Sequence, residues 1–137
     1  MQSILIVDDE ADVREIVAYK LGRLGYEVIT ASDGAAGLEA VTQLRPDLVL
    51  LDWALPELTG IEVCRRIRDG SDHADVPIIL LTARTRDSDQ RVGFEAGVND
   101  YIVKPFSPND LANRVATALS GEPRLPEPGD SPPAAIR

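Results

Sequence analysis

The sequence predicts a doubly wound α/β fold, a three-layer (βα)5 sandwich with helices on both faces of a parallel sheet. Short aliphatic segments alternate five times with segments whose apolar residues have helical spacing. Three of the aliphatic segments are unbroken runs, as expected for strands that are buried on both faces. The chain has 137 residues, of which 44% are hydrophobic. That length and composition suit one domain with a mainly aliphatic core.

The first strand is predicted over residues 4–7, an aliphatic run that stops at Asp8. Apolar residues at helical spacing then predict a first helix that ends near Gly25. Its predicted apolar face consists of Val13, Ile16, Val17, Leu21 and Leu24. A weaker second strand is predicted over residues 28–31, and Asp33 can cap the helix that follows it. The apolar face of that second helix is predicted at Leu38, Val41 and Leu44.

The remaining three strands are predicted over residues 47–51, 77–81 and 101–103, each followed by a helix. Ser107 and Pro108 indicate the start of the last helix, because serine is a good N-cap and proline suits the first helical position. The predicted apolar positions of the three helices are Ile61, Cys64 and Ile67, then Val92 and Ala96, then Leu111, Val115, Ala118 and Leu119.

The composition changes at Gly121. Residues 121–137 contain Pro123, Pro126, Pro128, Pro132 and Pro133 and few large apolar side chains. A segment of this kind cannot build a core. We therefore expect one folded domain over residues 1–120, followed by a Pro-rich disordered tail or semi-rigid linker over residues 121–137.

Several classes of function are disfavoured by composition. The net charge of −9 argues against direct binding of nucleic acid by this domain, because phosphates would be repelled. Cys64 is the only cysteine and His73 the only histidine, which excludes an intrachain disulfide, a thiolate cluster and a His-rich metal site. No apolar run approaches about 20 residues, and the N-terminus lacks a basic signal-peptide region. We expect a cytoplasmic protein that does not contact a membrane.

Polar side chains follow four of the predicted strands. Asp8 and Asp9 follow the first strand, Asp52 the third, Thr82 the fourth and Lys104 the fifth. The carboxyl ends of parallel strands lie at one edge of a sheet, where α/β proteins bind ligands. Crowded carboxylates repel one another unless a cation lies among them, and oxygen ligands suit Mg²⁺. A hydroxyl and an ammonium beside that cation suit phosphoryl oxygens.

These motifs together resemble the receiver domain of bacterial two-component response regulators. Four segments match in order at the strand ends: residues 4–10 (ILIVDDE), 51–60 (LDWALPELTG), 81–83 (LTA) and 100–106 (DYIVKPF). The resemblance extends over about residues 2 to 119. It implies the strand order 2-1-3-4-5 that is known for receiver folds.

The resemblance also implies a metal site. Asp9 and Asp52 would bind Mg²⁺ directly, Asp8 mainly through water, and the backbone carbonyl of Ala54 would supply a further oxygen. Mn²⁺ can substitute in such an oxygen-only site.

The family resemblance further implies a signalling switch and not an enzyme. Asp52 would be the phosphoacceptor for a sensor histidine kinase or a phosphotransfer protein, and Thr82 and Lys104 would contact the phosphoryl oxygens. Tyr101 matches the aromatic residue that packs inward when Thr82 moves. The peptide bond between Lys104 and Pro105 matches one that is usually cis in the family.

The sequence is also compatible with other interpretations. A phosphatase with an aspartyl nucleophile needs a second Asp two residues after the first, and that position is Ala54. A phosphorylation-independent interaction module of receiver fold usually lacks one of the pocket residues. Either Asp8 or Asp9 could simply cap the following helix. We also expect Trp53 to lie exposed beside the site.

The surface formed by the fourth helix, fifth strand and fifth helix is a candidate homodimer face. Asp100, Asp110 and Arg114 partly match the charged face of regulators that dimerise, and we expect pairs such as Asp100–Arg114 to form across a two-fold axis.

Overall fold

The computed structural model describes residues 1–70 and 73–120. Within those ranges the five strands are β1 (Ser3–Val7), β2 (Glu27–Ala31), β3 (Leu48–Asp52), β4 (Ile78–Thr82) and β5 (Asp100–Val103). The five helices in the same ranges are α1 (Ala11–Arg23), α2 (Gly34–Leu44), α3 (Gly60–Arg68), α4 (Asp87–Ala96) and α5 (Pro108–Ser120). The predicted alternation of strands and helices is confirmed.

The strands form one parallel sheet in the order β2-β1-β3-β4-β5, which confirms the predicted fold class and strand order. From β1 the chain adds β2 on one side of the sheet, and β3, β4 and β5 are then added on the other side. The connections that leave β1 and β3 therefore run in opposite directions. A crevice forms at such a reversal, outside the carboxyl ends of the strands. Val7 pairs with Leu51 in the sheet register, so Asp8 and Asp52, the next residues along each strand, are brought side by side.

Each face of the sheet is covered by a separate hydrophobic cluster. Side chains alternate between faces along a strand, so Leu5 and Val7 join one cluster and Ile4 and Ile6 the other. The first cluster packs mainly against α2 and α3, with Val41, Ile61, Val63, Cys64 and Ile67 buried. The second packs against α1 and α5, with Val17, Leu21, Leu111, Ala112 and Val115 buried. Burial on both faces explains why the central strands are continuous aliphatic runs.

Two predicted caps are present. The side chain of Asp33 accepts a hydrogen bond from the amide of Ala36 at 2.8 Å, and Ser107 Oγ accepts one from the amide of Asp110 at 3.3 Å. These bonds satisfy backbone donors that have no partner inside the helix. Proline and serine therefore have the roles at the start of α5 that the sequence indicated.

Several apolar residues predicted to face the core are exposed instead. Ile16 is 49% exposed, Leu24 54% and Leu44 56%, and Val92 is also exposed. The stripe of α1 that contacts the sheet is narrower than predicted, with Val17 and Leu21 buried. Leu24 is the C-cap residue that follows α1, and Leu44 is the last residue of α2, so helical spacing alone overestimated the buried face.

Arg68, at the end of α3, joins the loops at the opposite edge of the sheet. Its guanidinium donates to the carbonyls of Ala74 at 2.7 Å, Val76 at 2.6 Å and Gly97 at 2.8 Å. A further bond at 2.9 Å reaches the side chain of Asn99. These bonds fix the C-terminal end of α4, whose C-cap residue is Gly97.

The helices within the described residues are all too short or too polar to cross a membrane. Residues 121–137, where a tail or linker was predicted, lie outside the described residues.

Candidate functional site

The predicted site residues converge at the carboxyl edge of the sheet. Among the described residues, the buried polar or charged residues are Asp8, Asp52 and Thr82. They follow or end β1, β3 and β4, which are adjacent strands. Burying polar groups is costly unless they have partners. Their position together at one strand edge therefore marks this crevice as the candidate site.

Three carboxylates form a cluster in the crevice. Asp8, Asp9 and Asp52 each offer an oxygen, and these oxygens lie within 4.8 Å of one another. Asp9 is exposed, whereas Asp8 is buried and already bonded to its neighbours. An all-oxygen donor set that is open to solvent on one side fits Mg²⁺, which takes one or two carboxylates and keeps several waters.

Lys104 lies against this cluster from the end of β5. Its ammonium nitrogen is 2.8 Å from Asp8 Oδ2, 3.2 Å from Glu10 Oε1 and 3.4 Å from Asp52 Oδ1. Burial alone would lower the pKa of Lys104, but the hydrogen bond to Asp8 and the charges of Asp52 and Asp8 outweigh it and raise that pKa. Lys104 is therefore a fixed cation. The peptide bond that follows it, to Pro105, is cis, in agreement with the family pattern.

The pKa of Asp52 is raised to about 6. Burial is the main cause, and the negative charge of Asp8 adds to it. Lys104 and the hydrogen bond from the Ala54 amide, at 3.3 Å, act in the opposite direction. The ionised carboxylate is thus destabilised by its surroundings yet predominates at neutral pH, which suits a nucleophile.

The interpretation of Asp8 or Asp9 as a simple helix cap is wrong. The N-cap residue of α1 is Glu10, and its side chain makes no capping bond. Asp8 Oδ1 instead accepts from the amide of Glu10 at 2.9 Å, which holds the carboxylate at the end of β1. Arg14 donates to the backbone carbonyl of Asp8 at 2.7 Å. This role of Arg14 could not be predicted from the sequence, because an arginine early in a helix indicates no more than a solvated charge.

Thr82 and Tyr101, the predicted switch residues, are connected through Arg84. Thr82 Oγ1 accepts a hydrogen bond from the Arg84 amide at 2.9 Å. The Tyr101 hydroxyl donates to the Arg84 carbonyl. Tyr101 is buried, so its ring is already in the inward position while Thr82 is bonded to the Arg84 amide. This differs from the expectation that the ring packs inward only when Thr82 moves. Burial raises the pKa of the Tyr101 hydroxyl.

The expectation that Trp53 is exposed is wrong. Trp53 is 7% exposed and belongs to the hydrophobic cluster that includes Leu55 and Ile61. The guanidinium carbon of Arg84 lies 4.7 Å from the centroid of its ring and covers it. The position of Trp53 directly after Asp52 could not show that a side chain from a different loop, Arg84, covers its ring.

Asp100 and Arg114 also differ from expectation. They pair within one chain, with Arg114 Nη1 3.0 Å from Asp100 Oδ1. Arg114 additionally pairs with Asp110 at 3.1 Å and donates to the carbonyl of Tyr101 at 3.2 Å. The ion pair forms within one chain, so a homodimer interface on this face does not require Asp100 and Arg114 to pair between subunits.

The fold and site define a class of protein, and comparison with known proteins assigns this chain to it. The chain belongs to the response regulator receiver domain family, whose model matches residues 4–116. Receiver domains bind Mg²⁺ at an acidic pocket, interact with histidine kinases or phosphotransfer proteins and act as signalling switches.

Curated relatives include a transcriptional regulatory protein and a DNA-binding response regulator. The chain is 43% identical over 130 residues to the phosphate regulon transcriptional regulatory protein PhoB of Pseudomonas aeruginosa, covering 95% of this chain and 55% of that protein. It is 47% identical over 118 residues to the DNA-binding response regulator MtrA of Mycobacterium tuberculosis, covering 86% of this chain and 50% of that protein. The chain thus spans about half the length of these relatives.

Solved structures agree with the fold. The chemotaxis response regulator CheY4 of Vibrio cholerae is 33% identical, with a TM-score of 0.83. The match covers 86% of this chain and 98% of that one.

Proposed function

We propose that this receiver domain accepts a phosphoryl group on Asp52 from a sensor histidine kinase or a phosphotransfer protein. The observation that supports this most is the crevice at the strand ends. There, the carboxylates of Asp8, Asp9 and Asp52 lie within 4.8 Å of one another, and the Lys104 ammonium is 3.4 Å from Asp52. Such an arrangement would supply a nucleophile beside a fixed cation and a set of metal ligands.

In the proposed reaction, an Asp52 carboxylate oxygen forms a bond to phosphorus. The bond between phosphorus and the donor's imidazole nitrogen breaks, and its electron pair stays on the imidazole. Asp52 must be ionised to attack, and with a pKa of about 6 it is ionised at neutral pH. The product is an acyl phosphate, and the oxygens of the transferred group gain charge in the transition state.

Asp9, Asp52 and the backbone carbonyl of Ala54 would hold Mg²⁺, with Asp8 acting mainly through water. A bound Mg²⁺ supplies charge neutralisation for the phosphoryl oxygens. Asp8 is already bonded to Lys104 and the Glu10 amide, which supports an indirect role for it. Mn²⁺ can occupy the same oxygen ligands.

Lys104 and Thr82 would contact the phosphoryl oxygens after transfer. The Lys104 ammonium is preorganised by three carboxylates, so little reorganisation precedes its contact with the incoming group. Thr82 would have to release the Arg84 amide in order to turn its hydroxyl toward Asp52. Tyr101 is the proposed partner of Thr82 in the switch, because both side chains are joined to Arg84.

For the organisation of the protein, we propose a receiver domain over residues 1–120 and a Pro-rich disordered tail or linker over residues 121–137. Helix α5 ends at Ser120, and five prolines follow in the sequence. Because PhoB is named as a transcriptional regulatory protein and MtrA as a DNA-binding response regulator, we propose control of transcription as the output. The surface of α4, β5 and α5 is the proposed homodimer face, with Val92 and Val103 exposed on it.

The test is phosphorylation by acetyl phosphate in the presence of Mg²⁺, followed by intact-mass measurement. We expect a single phosphoryl adduct on the parent and on Asp12→Asn, an exposed acid in α1, and none on Asp52→Asn. An equal adduct on Asp52→Asn would reject Asp52 as the acceptor. No adduct on the parent would instead favour a phosphorylation-independent interaction module.

A further inference from the structure

The Arg84 side chain, which has no part in the proposed reaction, contacts two other side chains. Its guanidinium lies over the Trp53 ring, with 4.7 Å between the guanidinium carbon and the ring centroid. Its Nη1 is 3.5 Å from Asp89 Oδ1 in the first turn of α4. We call this arrangement the Trp53–Arg84–Asp89 stack. It joins the residue next to Asp52 to the N-terminal end of a surface helix.

The backbone of the same residue bonds to both proposed switch residues. The Arg84 amide donates to Thr82 Oγ1 at 2.9 Å, and the Arg84 carbonyl accepts from the Tyr101 hydroxyl. Moving the Arg84 backbone would therefore disturb both bonds at once.

We propose that Arg84 is a positioning residue whose stacked side chain holds its own carbonyl where the inward Tyr101 hydroxyl can donate to it. The proposal rests on the proposed function only in taking Tyr101 as a residue whose position changes on phosphorylation. The contacts themselves belong to the protein without a phosphoryl group. The stack then connects the Asp52 crevice to Tyr101 and to the face of α4 and β5.

The surroundings of the stack favour this role. Trp53 is packed in the core and gives a rigid surface, and a cation over an indole is the strongest of the cation–π pairs. The C-terminal end of α4 is fixed independently by Arg68, which donates to the Gly97 carbonyl through two nitrogens at 3.0 and 2.8 Å. At the N-terminal end of α4, the ion pair between Asp89 and Arg84 joins the helix to the loop that follows β4. Loss of the stack should therefore release the β4–α4 loop and leave the far end of α4 in place.

The position of Tyr101 can be measured with fluorine. The sequence contains three tyrosines, so protein labelled with 3-fluorotyrosine gives three ¹⁹F resonances, and Tyr101→Phe assigns the one of interest. The change in ¹⁹F shift between H₂O and D₂O reports exposure of each ring. Tyr19 is 68% exposed and Tyr101 8% exposed, so Tyr19 provides the value for an exposed ring within the same sample.

The expected result is specific to Arg84. In the unphosphorylated parent, the Tyr101 resonance should show a small solvent shift. In Arg84→Ala it should move toward the Tyr19 value, because loss of one cation–π contact and one exposed ion pair raises the outward population by about 2- to 10-fold. Arg84→Lys should restore part of the inward position. Arg86→Ala removes the same charge from an exposed neighbour outside the stack and should match the parent.

Two results would overturn the proposal. One is a Tyr101 resonance in Arg84→Ala that is unchanged from the parent. The other is an equal change in Arg86→Ala, which would mean that net charge and not the stack controls Tyr101. No phosphodonor is present in these samples, so failure here is distinct from a missing adduct on Asp52.

Discussion

The Lys104 ammonium nitrogen lies 3.4 Å from Asp52 Oδ1, within ion-pair distance, and yet the pKa of Asp52 is raised to about 6. The lysine is closer to Asp8, at 2.8 Å, and shares its charge among three carboxylates. Burial of Asp52 and the charge of Asp8 therefore outweigh the attraction. The carboxylates in the crevice therefore carry more negative charge than the Lys104 ammonium alone can balance.

This imbalance predicts a pH-dependent effect of Asp52→Asn on stability. The folded pKa of Asp52 lies above its ordinary value of 3.8. The stabilisation that belongs to protonated Asp52 is fully present below about pH 4 and is lost as the pH rises through about 6. At about pH 7.5 without divalent cations, Asp52→Asn should be more stable than the parent by about 1–3 kcal/mol. Near pH 4 the two should differ little.

Urea unfolding at both pH values measures this difference. Asp12→Asn removes the same charge from an exposed position on α1 and serves as the matched control. Equal stability of Asp52→Asn and the parent at about pH 7.5 would contradict the electrostatic account.

Lys104→Met should change two properties in opposite directions. Phosphoryl transfer from acetyl phosphate should slow by about 10²-fold, because a preorganised cation is lost from the charge-developing oxygens. Mg²⁺ affinity should rise, since a competing cation has left the carboxylates. Trp53 fluorescence follows the titration, and Lys20→Met is the control for the change in net charge. Weaker Mg²⁺ binding in Lys104→Met would argue against competition between the two cations.

The two acidic residues after Asp8 should differ in their effect on the metal. Asp9 is in the carboxylate cluster, whereas Glu10 pairs with Lys104 at 3.2 Å. Asp9→Ala should weaken Mg²⁺ binding on the order of 10-fold or more, because a hard dication loses an oxygen ligand. Glu10→Ala should have a much smaller effect. The same fluorescence titration measures the Mg²⁺ affinity of both variants. Equal affinities would contradict the assignment of Asp9 as a metal ligand.

Phosphorylation should promote self-association through the face of α4, β5 and α5. Arg114 and Asp100 already pair within the chain, so exposed apolar residues such as Val103 are expected to contribute. Sedimentation with beryllofluoride and Mg²⁺ should show a dimer, and Val103→Asp should reduce it. A monomer with and without beryllofluoride, at high concentration, would favour a domain that binds a different partner.

The strands and the convergence of the polar side chains could be predicted from the sequence because both follow from short local patterns. Residues 4–7 and 78–81 are continuous aliphatic runs, and polar residues at the ends of parallel strands must meet. Asp8, Asp9, Asp52 and Lys104 were therefore placed together correctly.

Contacts between distant loops could not be predicted in this way. Trp53 is buried because Arg84, from the loop after β4, covers its ring. Arg68 and Arg14 bond mainly to backbone carbonyls. Every residue has such an acceptor, so the sequence does not indicate which carbonyls an arginine contacts. The exposure of Ile16 depends on how α1 is rotated against the sheet, which helical spacing leaves open.

The most direct test of the central claim locates the phosphoryl group on the chain. The protein is phosphorylated by acetyl phosphate with Mg²⁺, reduced with borohydride, which converts an acyl phosphate to homoserine, and sequenced by tandem mass spectrometry. We expect homoserine at residue 52 and unmodified aspartate at Asp8 and Asp9. Homoserine at Asp8 or Asp9, with Asp52 unmodified, would contradict the assignment of Asp52 as the phosphoacceptor.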